Sequence, residues 1–190
     1  MKRLEIDYSL KSMDVLVSLA RYNFVNKIIQ DKNLKVLDYG CGSGYGTKVL
    51  LEKFPNVTSH DTYFDDYRPA GITVETDIEK IKKQQYDLVT CFEVIEHMDE
   101  AAQNVLMDNL AGLLNKDGVL FISTVRKMVP PPTQNRKDYH TREVTFEELY
   151  AFCSKHFKTV LTFGQIDQII STFNNDNHYH FVFVCTNKKW

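Results

Sequence analysis

Two glutamates and a histidine are grouped in the pentapeptide E-V-I-E-H, where they are Glu93, Glu96 and His97. The pentapeptide directly follows the apolar segment 86–92, and a second histidine, His140, comes after a proline-rich loop. If segment 86–92 is a buried strand of an α/β sheet, its carboxyl end lies at the edge where such sheets bind ligands. We expect the loop carrying His140 to fold over the same edge. The spacing therefore predicts one site with two carboxylates and two imidazoles.

Three interpretations of this cluster remain open. In the first, His97 or His140 is a general base for a hydroxyl group, because imidazole titrates near neutrality. In the second, Glu93, Glu96, His97 and His140 bind a divalent Mg, Mn, Fe or Zn ion, which would acidify a substrate hydroxyl. In the third, the roles are structural: Glu93 contacts a cofactor, Glu96 caps a helix and His97 satisfies backbone groups.

A glycine-rich turn, Gly40-Cys41-Gly42-Ser43-Gly44, follows the first apolar strand and its terminal Asp38. Such glycines allow positive φ and close approach of the backbone to a ligand. Asp61 ends the next strand, where a carboxylate can accept hydrogen bonds from ribose hydroxyls. Gly46-Thr47-Lys48 has the wrong order for a phosphate-binding loop, and Asp38 would repel phosphate but attract an ammonium group. A ligand with an ammonium and a ribose but no phosphate fits, and S-adenosylmethionine is such a ligand.

Apolar periodicity predicts helices at 13–29, 46–53, 100–114 and 145–155, the last opened by a Thr145/Glu148 capping box. The predicted strands cover 35–38, 57–60, 72–75, 86–92, 119–124, 160–163 and 179–186, with a turn at Asp117-Gly118. Most strands are apolar on both faces, as is typical of parallel strands covered by helices. We therefore predict an α/β fold with a Rossmann-like, doubly wound sheet of about seven strands. It is mostly parallel and ends in an antiparallel strand, because segment 164–178 offers no good crossover helix.

The composition is that of one globular domain without a nucleic-acid-binding charge. The 190 residues include 23 Lys+Arg and 25 Asp+Glu, a net charge of −2, whereas proteins that coat nucleic acid usually carry a basic excess. No apolar stretch predicts a membrane span or a signal peptide, so a cytoplasmic protein is expected. The four cysteines have no C-x-x-C spacing and are expected to be free core thiols. His178 and His180 are expected at an edge or on the surface.

The stretch from about Arg21 to Gln165 resembles class I S-adenosylmethionine-dependent methyltransferases. The resemblance rests on VLDYGCGSGYGT, YDLVTCFEVIEHMDE and LLNKDGVLFIST, which are similar to the family's cofactor loop, fourth strand and fifth strand. More narrowly, ARYNFV, FEVIEH, YHTREVTFEEL and FGQ resemble enzymes of bacterial glycan and surface-polysaccharide pathways, with ubiquinone-type O-methyltransferases similar in pattern. The E-x-x-E-H set with a distal histidine also resembles small-RNA 2′-O-methyltransferases.

The resemblance implies roles for individual residues. Asp38, Gly40 and Gly42 would line the methionine part of the cofactor, Asp61 would hold the ribose, and Asp77 would lie near the adenine amine. Phe92 and Glu93 would lie beside the sulfonium. The full predicted cofactor set is Asp38, Gly40, Cys41, Gly42, Asp61, Thr62, Asp77, Ile78, Phe92 and Glu93. Between Asp61 and Ile72 the sequence is turn-like where the family usually has a helix.

The predicted function is transfer of a methyl group to oxygen of a small hydroxylated acceptor, such as a sugar or glycan precursor, with His97, His140 and Glu93 as catalytic residues. The chain would form one domain: a helical cover (1–32), a cofactor core (33–125), and a substrate loop with C-terminal strands (126–190). One alternative is a metal-dependent O-methyltransferase of RNA 3′ ends or polyphenols, although the net charge makes nucleic acid an unfavourable partner. Another is a non-catalytic, cofactor-binding partner protein. The oligomeric state stays open, and a homodimer is compatible with the sequence.

Overall fold

A computed structural model describes residues 13–62, 71–173 and 178–190. The helices are α1 (Met13–Ile28), α2 (Tyr45–Leu51), α3 (Ile78–Ile81), α4 (Glu100–Leu113), α5 (Gln134–Tyr139) and α6 (Phe146–His156), with a 3₁₀ turn at Ile95–His97. The strands are β1 (Lys35–Tyr39), β2 (Asn56–His60), β3 (Val74–Glu75), β4 (Tyr86–Phe92), β5 (Leu114–Val125), β6 (Phe157–Ile166), β7 (Ile169–Thr172) and β8 (His180–Lys188). Within these ranges, no helix is both long and apolar enough to cross a bilayer.

The strands form one eight-stranded sheet in the order β3-β2-β1-β4-β5-β8-β6-β7. The first five strands in this order pair in parallel, and β8, β6 and β7 pair antiparallel. The predicted mixed sheet is confirmed. The eighth strand, β7, was not predicted because it is four residues long and mostly exposed, so its sequence lacks the apolar run of the central strands.

Two apolar layers cover the two faces of the sheet. Adjacent residues of β1 point to opposite layers: Val36 packs with α1 and α2, and Leu37 packs with α4 and α6. Both side chains are fully buried, and burial of such a side chain stabilises the fold by roughly 1.5–3 kcal/mol. This two-sided burial explains why the central strands read as continuous apolar segments. The parallel pairing of β1 with β4 places their carboxyl ends next to each other.

Most predicted elements are confirmed, and the differences have local causes. The Thr145/Glu148 capping box opens α6 as predicted. Regular pairing of β5 with β4 begins at Val119, where the sequence predicts the strand to start. The strand as a whole extends back to Leu114, and Asp117-Gly118 lie in an irregular insertion between the pairs Tyr86–Leu114 and Leu88–Val119. Helices α3 and α5, with four and six residues, are too short to produce a helical periodicity.

All four cysteines are free and buried, as predicted. The predicted helix-free connection after Asp61 falls mainly on residues 63–70, which lie outside the described residues. Residues 1–12 of the predicted helical cover lie outside them as well.

Candidate active site

A cavity of about 790 Å³ opens at the carboxyl ends of β1, β2 and β4. This volume falls in the usual range for a small-molecule site. Its wall includes residues of the glycine loop, of the ends of β2 and β4, of α1 and of segment 135–141. The cavity thus lies at the edge predicted from the sequence, and its cover includes the N-terminal helix and the loop that carries His140.

The glycine loop has the backbone that its sequence requires. Gly40 has a φ of 74°, and a Cβ atom there would lie 2.3 Å from the Val94 side chain. Gly42 has a φ of 56° with open space around the position of a Cβ atom, so its backbone faces the cavity without a side chain. The Gly42 amide donates to Asp61 Oδ2 at 2.8 Å. The loop and the predicted ribose-binding carboxylate are therefore held together.

Asp38 is fully buried beneath the loop. Its carboxylate accepts hydrogen bonds from the hydroxyls of Thr47 (2.7 Å), Thr90 (2.8 Å) and Tyr22 (3.3 Å). Burial raises the pKa of Asp38 to about 6, although the three hydroxyls counteract this shift. Because hydroxyls already occupy both oxygens, the geometry favours a role in which Asp38 organises α1 and α2 around the loop. Direct contact between Asp38 and a cofactor ammonium stays a prediction.

The predicted cofactor residues divide into two groups. Seven of them line the cavity: Gly40, Cys41, Gly42, Asp61, Thr62, Phe92 and Glu93. The described part of the wall does not include Asp38, Asp77 or Ile78. Asp77 instead caps α3 by accepting from the Glu79 amide at 2.9 Å, and Ile78 packs against the core. The adenine contact of Asp77 was implied by the family resemblance alone, and the role that its observed hydrogen bond supports is that of a helix cap.

Glu93 lies in a charged cluster that the sequence did not reveal. It has a φ of 55°, and its Oε1 accepts from Ser123 Oγ at 2.8 Å. Arg21 Nη1 lies 3.9 Å from Oε1, and His180 Nε2 lies 3.5 Å from Oε2. Burial raises the pKa of Glu93, but the positive charge of Arg21 and the nearby His180 outweigh it, so the pKa lies below its usual value. Glu93 is therefore ionised at neutral pH.

Arg21 and His180 both line the cavity. The Arg21 side chain is only 3% exposed, and its Nε has no hydrogen-bond partner among the described residues. The sequence offered a signal for it, a charged residue on the buried face of α1 beside Tyr22 and Val25. The expectation for His180 was wrong, because β8 enters the sheet between β5 and β6. His178 is also buried, against Gly164 of the neighbouring β6.

Glu96, His97 and His140 converge. One potential ligand atom from each lies within 4.8 Å of the others, and the two imidazole rings are 5.2 Å apart in an edge-to-face arrangement. His97 Nδ1 contacts the Tyr139 carbonyl at 2.8 Å, and His140 Nδ1 contacts Glu143 Oε1 at 2.7 Å. These contacts leave Nε2 of each ring to act toward a substrate or an ion. Of the four residues predicted to form one site, these three lie together, whereas Glu93 is not part of the converging group.

Glu96 differs from Glu93 in its surroundings. Its side chain is buried and accepts from Thr124 Oγ1 at 2.8 Å. Burial, followed by the charge of Glu93, raises the pKa of Glu96 well above its usual value. The pKa values of these two neighbouring carboxylates are thus shifted in opposite directions. A cation beside Glu96 would reverse this effect, which is relevant to the metal interpretation.

A family model described as a methyltransferase domain matches residues 14–174. This match covers well over half of the 190 residues. The chain belongs to this methyltransferase domain family.

Relatives of this methyltransferase domain include the ubiquinone biosynthesis O-methyltransferase of Rickettsia canadensis. It is 32% identical over 120 residues, which are 57% of this chain and 48% of the relative. The same enzyme of Salmonella paratyphi A is 33% identical over 106 residues, 49% of this chain and 43% of the relative. The domain thus spans about half the length of the curated relatives it matches.

Solved structures support the same fold at low sequence identity. A SAM-dependent methyltransferase from Archaeoglobus fulgidus has a TM-score of 0.68 at 15% identity, covering 94% of this chain and 95% of that one. The methyltransferase domain of bacterial CtHen1-CN has a TM-score of 0.65 at 21% identity, covering 90% and 99%. A 1,6-didemethyltoxoflavin-N1-methyltransferase from Burkholderia thailandensis, solved with S-adenosylhomocysteine, has a TM-score of 0.60 at 17% identity, covering 96% and 93%. The predicted Rossmann-like methyltransferase fold is confirmed.

Proposed function

We propose that this methyltransferase domain binds S-adenosylmethionine and transfers its methyl group to oxygen of a small hydroxylated acceptor, such as a sugar or glycan precursor. The observation that carries the proposal is the composition of the wall of the 790 Å³ cavity. The glycine loop and Asp61 line one part of it, and His97 and His140 line another. A cofactor-binding loop and groups able to accept a proton therefore face a common space.

The cofactor side offers groups that match S-adenosylmethionine. Asp61 lies at the cavity wall, with one oxygen bound to the Gly42 amide, and a carboxylate in this position suits a ribose. The buried Arg21 guanidinium, with its unpartnered Nε, suits the carboxylate of the methionine moiety. Asp38 would hold the loop in place from below through Thr47 and Tyr22. The relatives named as ubiquinone biosynthesis O-methyltransferases support oxygen as the acceptor atom.

The reaction requires alignment and the removal of one proton. S-adenosylmethionine would supply a methyl group on a sulfonium. The acceptor oxygen would attack the methyl carbon, so that the O–C bond forms as the S–C bond breaks and S-adenosylhomocysteine leaves. The hydroxyl proton would pass to Nε2 of His97 or His140, because Nδ1 of each ring is already engaged. Glu93, fixed by Ser123, would line the boundary between the two parts of the cavity. Alignment of this kind accounts for much of the rate of such a transfer.

Cofactor binding is tested by calorimetry with S-adenosylhomocysteine. Methyl transfer is tested by incubating the protein and S-adenosylmethionine with a panel of sugars, nucleotide sugars and catechols and measuring the S-adenosylhomocysteine that is released. We expect cofactor binding and transfer to at least one hydroxylated compound, with a large loss of kcat in His97→Ala or in His140→Ala, whichever residue is the base. The absence of cofactor binding would overturn the proposal. Tight binding without transfer to any acceptor would instead support a non-catalytic partner protein.

A second candidate function is metal-dependent O-methylation, and the convergence of Glu96, His97 and His140 favours it. Metal-binding imidazoles typically donate Nδ1–H to a carbonyl or carboxylate so that Nε2 faces the ion. His97 and His140 have this arrangement through Tyr139 and Glu143. The residues therefore fit a divalent ion, with Glu96 as the carboxylate ligand and Glu93 as a further candidate. Such an ion would lower the pKa of an acceptor hydroxyl.

Metal removal separates the two candidates. The protein is dialysed against EDTA, its activity is measured, and Mg²⁺, Mn²⁺, Co²⁺ or Zn²⁺ is returned. Full activity of the chelated protein would exclude the metal-dependent function and leave His97 or His140 as a base. Loss that is restored by one ion would support it, and a panel of catechols and RNA 3′ ends then distinguishes polyphenol from RNA acceptors. The net charge of −2 disfavours RNA.

A further inference from the structure

The two histidines of the site lie on segments that are joined by a side chain from outside the cavity. His97 ends the 3₁₀ turn that follows β4, whereas His140 follows α5, 43 residues further along the chain. Gln103 of α4 contacts both segments. It is completely buried, and its Nε2 donates to the carbonyls of Ile95 (3.0 Å) and Arg142 (2.8 Å). One amide group thus links the two histidine-bearing segments.

Arg142 completes this link from the other direction. Its Nη1 donates to Gln103 Oε1 at 2.5 Å, and its Nη2 donates to Glu148 Oε1. Its backbone amide donates to the Glu96 carbonyl at 3.0 Å. Glu148 belongs to the capping box at the start of α6, so Arg142 ties the His140 segment to both α4 and α6. We call Gln103 and Arg142 the clamp.

The clamp supports two histidines whose function depends on the distance between them. The imidazoles must keep their separation to within a fraction of an ångström, whether they bind an ion together or whether one accepts a proton from a bound acceptor. Among the described residues, three single hydrogen bonds connect the two segments directly: the Arg142 amide to Glu96, His97 Nδ1 to Tyr139, and Thr141 Oγ1 to the His97 carbonyl at 3.1 Å. The clamp anchors the same two segments to the long helix α4, which packs against the core.

We propose that Gln103 and Arg142 are positioning residues that hold His97 and His140 at their working separation. This inference rests on the proposed function of the two histidines, but the clamp itself can be tested without any acceptor. Gln103→Met keeps the volume of the buried side chain and removes all of its hydrogen bonds. Arg142→Lys keeps the charge and removes the forked contact with Gln103 and Glu148. Val105→Ala, an exposed position on the same helix, is the matched control.

Two measurements are made on each variant. Hydrogen–deuterium exchange follows the Arg142 amide, and calorimetry follows binding of Co²⁺ alone and of S-adenosylhomocysteine. We expect exchange at Arg142 to become about tenfold faster and the Co²⁺ Kd to rise about tenfold, in line with the loss of contacts that hold metal-binding side chains in place. The S-adenosylhomocysteine Kd should stay within about twofold, because neither residue lines the cavity. Val105→Ala should leave all three quantities unchanged.

The outcomes distinguish failure of the clamp from failure of the proposed function. If Gln103→Met folds and the exchange at Arg142 is not accelerated, the clamp is overturned, whatever the parent protein binds. If the parent binds no Co²⁺ but exchange accelerates, the clamp is supported and the metal-dependent function is lost. If Gln103→Met does not fold, Arg142→Lys decides, because its side chain is 25% exposed and its replacement leaves no cavity in the core. Equal weakening of Co²⁺ and S-adenosylhomocysteine binding would indicate a general structural role and overturn the proposal.

Discussion

Arg21 Nη1 donates to Gln165 Oε1 at 2.9 Å, although the two residues are 144 positions apart. Gln165 Nε2 in turn donates to the Val17 carbonyl of α1 at 2.7 Å, so the strand residue fixes both the helix and its arginine. This contact holds the guanidinium against Glu93 at the cavity wall. It also joins two segments, ARYNFV and FGQ, that were singled out only as sequence resemblances.

Arg21→Lys should weaken S-adenosylhomocysteine binding about tenfold or more. Lysine keeps the charge but cannot contact Gln165, Glu93 and a ligand carboxylate together, because it lacks the planar fork. Calorimetry measures the Kd, and Asn23→Ala, at an exposed position of the same helix, should have no effect. An unchanged Kd in the lysine variant would show that Arg21 serves the fold rather than the ligand.

Asp38 should make the ligand-free protein less stable as the pH rises from about 4 to about 6. The folded-state pKa of about 6 lies above the ordinary value of 3.8, so the folded state holds the proton more tightly and loses this advantage with rising pH. The free energy of unfolding should fall by on the order of 3 kcal/mol when the pH rises from below both pKa values to above both. Urea unfolding across this range measures it. Asp38→Asn should show a flatter pH profile than the parent, and parallel profiles would contradict this assignment.

Substitution of Asp61 should weaken cofactor binding, whereas substitution of Asp77 should lower the stability of the fold. Asp61→Ala should raise the S-adenosylhomocysteine Kd at least tenfold, since it removes a carboxylate of the cavity wall and the partner of the Gly42 amide. Asp77→Ala should leave the Kd within twofold and lower the free energy of unfolding by about 0.5–2 kcal/mol, because it removes the cap of α3. Calorimetry and urea unfolding of both variants make the comparison. A large loss of affinity in Asp77→Ala would restore its predicted role near the adenine.

Glu143→Gln should weaken Co²⁺ binding about tenfold without changing S-adenosylhomocysteine affinity. The Glu143 carboxylate bonds both His140 Nδ1 and Arg136 Nε. Burial raises its pKa, but these two contacts prevail and hold it below the ordinary value. The glutamine therefore weakens the group that orients His140. Glu147→Gln, which is exposed on α6, is the control, and equal Co²⁺ affinity in both variants would argue against a metal role for His140.

The sequence by itself determined most of the secondary-structure elements and the edge of the sheet at which the site forms. The glycine loop, the apolar strands 35–38 and 86–92 and the E-V-I-E-H cluster are local signals, because turn geometry and two-sided burial dictate which residues can occupy those positions. A strand that ends at Phe92 necessarily delivers Glu93 to the carboxyl edge. The convergence of Glu96, His97 and His140 followed from this reasoning together with the position of the loop that carries His140.

Only the tertiary structure decided which side chains meet across the chain. Gln165 and His180 are opposite each other in the antiparallel pair β6–β8. This register places Gln165 beside Arg21 and His180 beside Glu93 at the cavity wall. A shift of one residue would turn them to the other face of the sheet. The burial of Asp38 beneath its three hydroxyls and the clamp formed by Gln103 and Arg142 likewise depend on how helices pack on the sheet. Local patterns fix secondary structure, but contacts between distant segments depend on strand register and helix packing, which no single segment encodes.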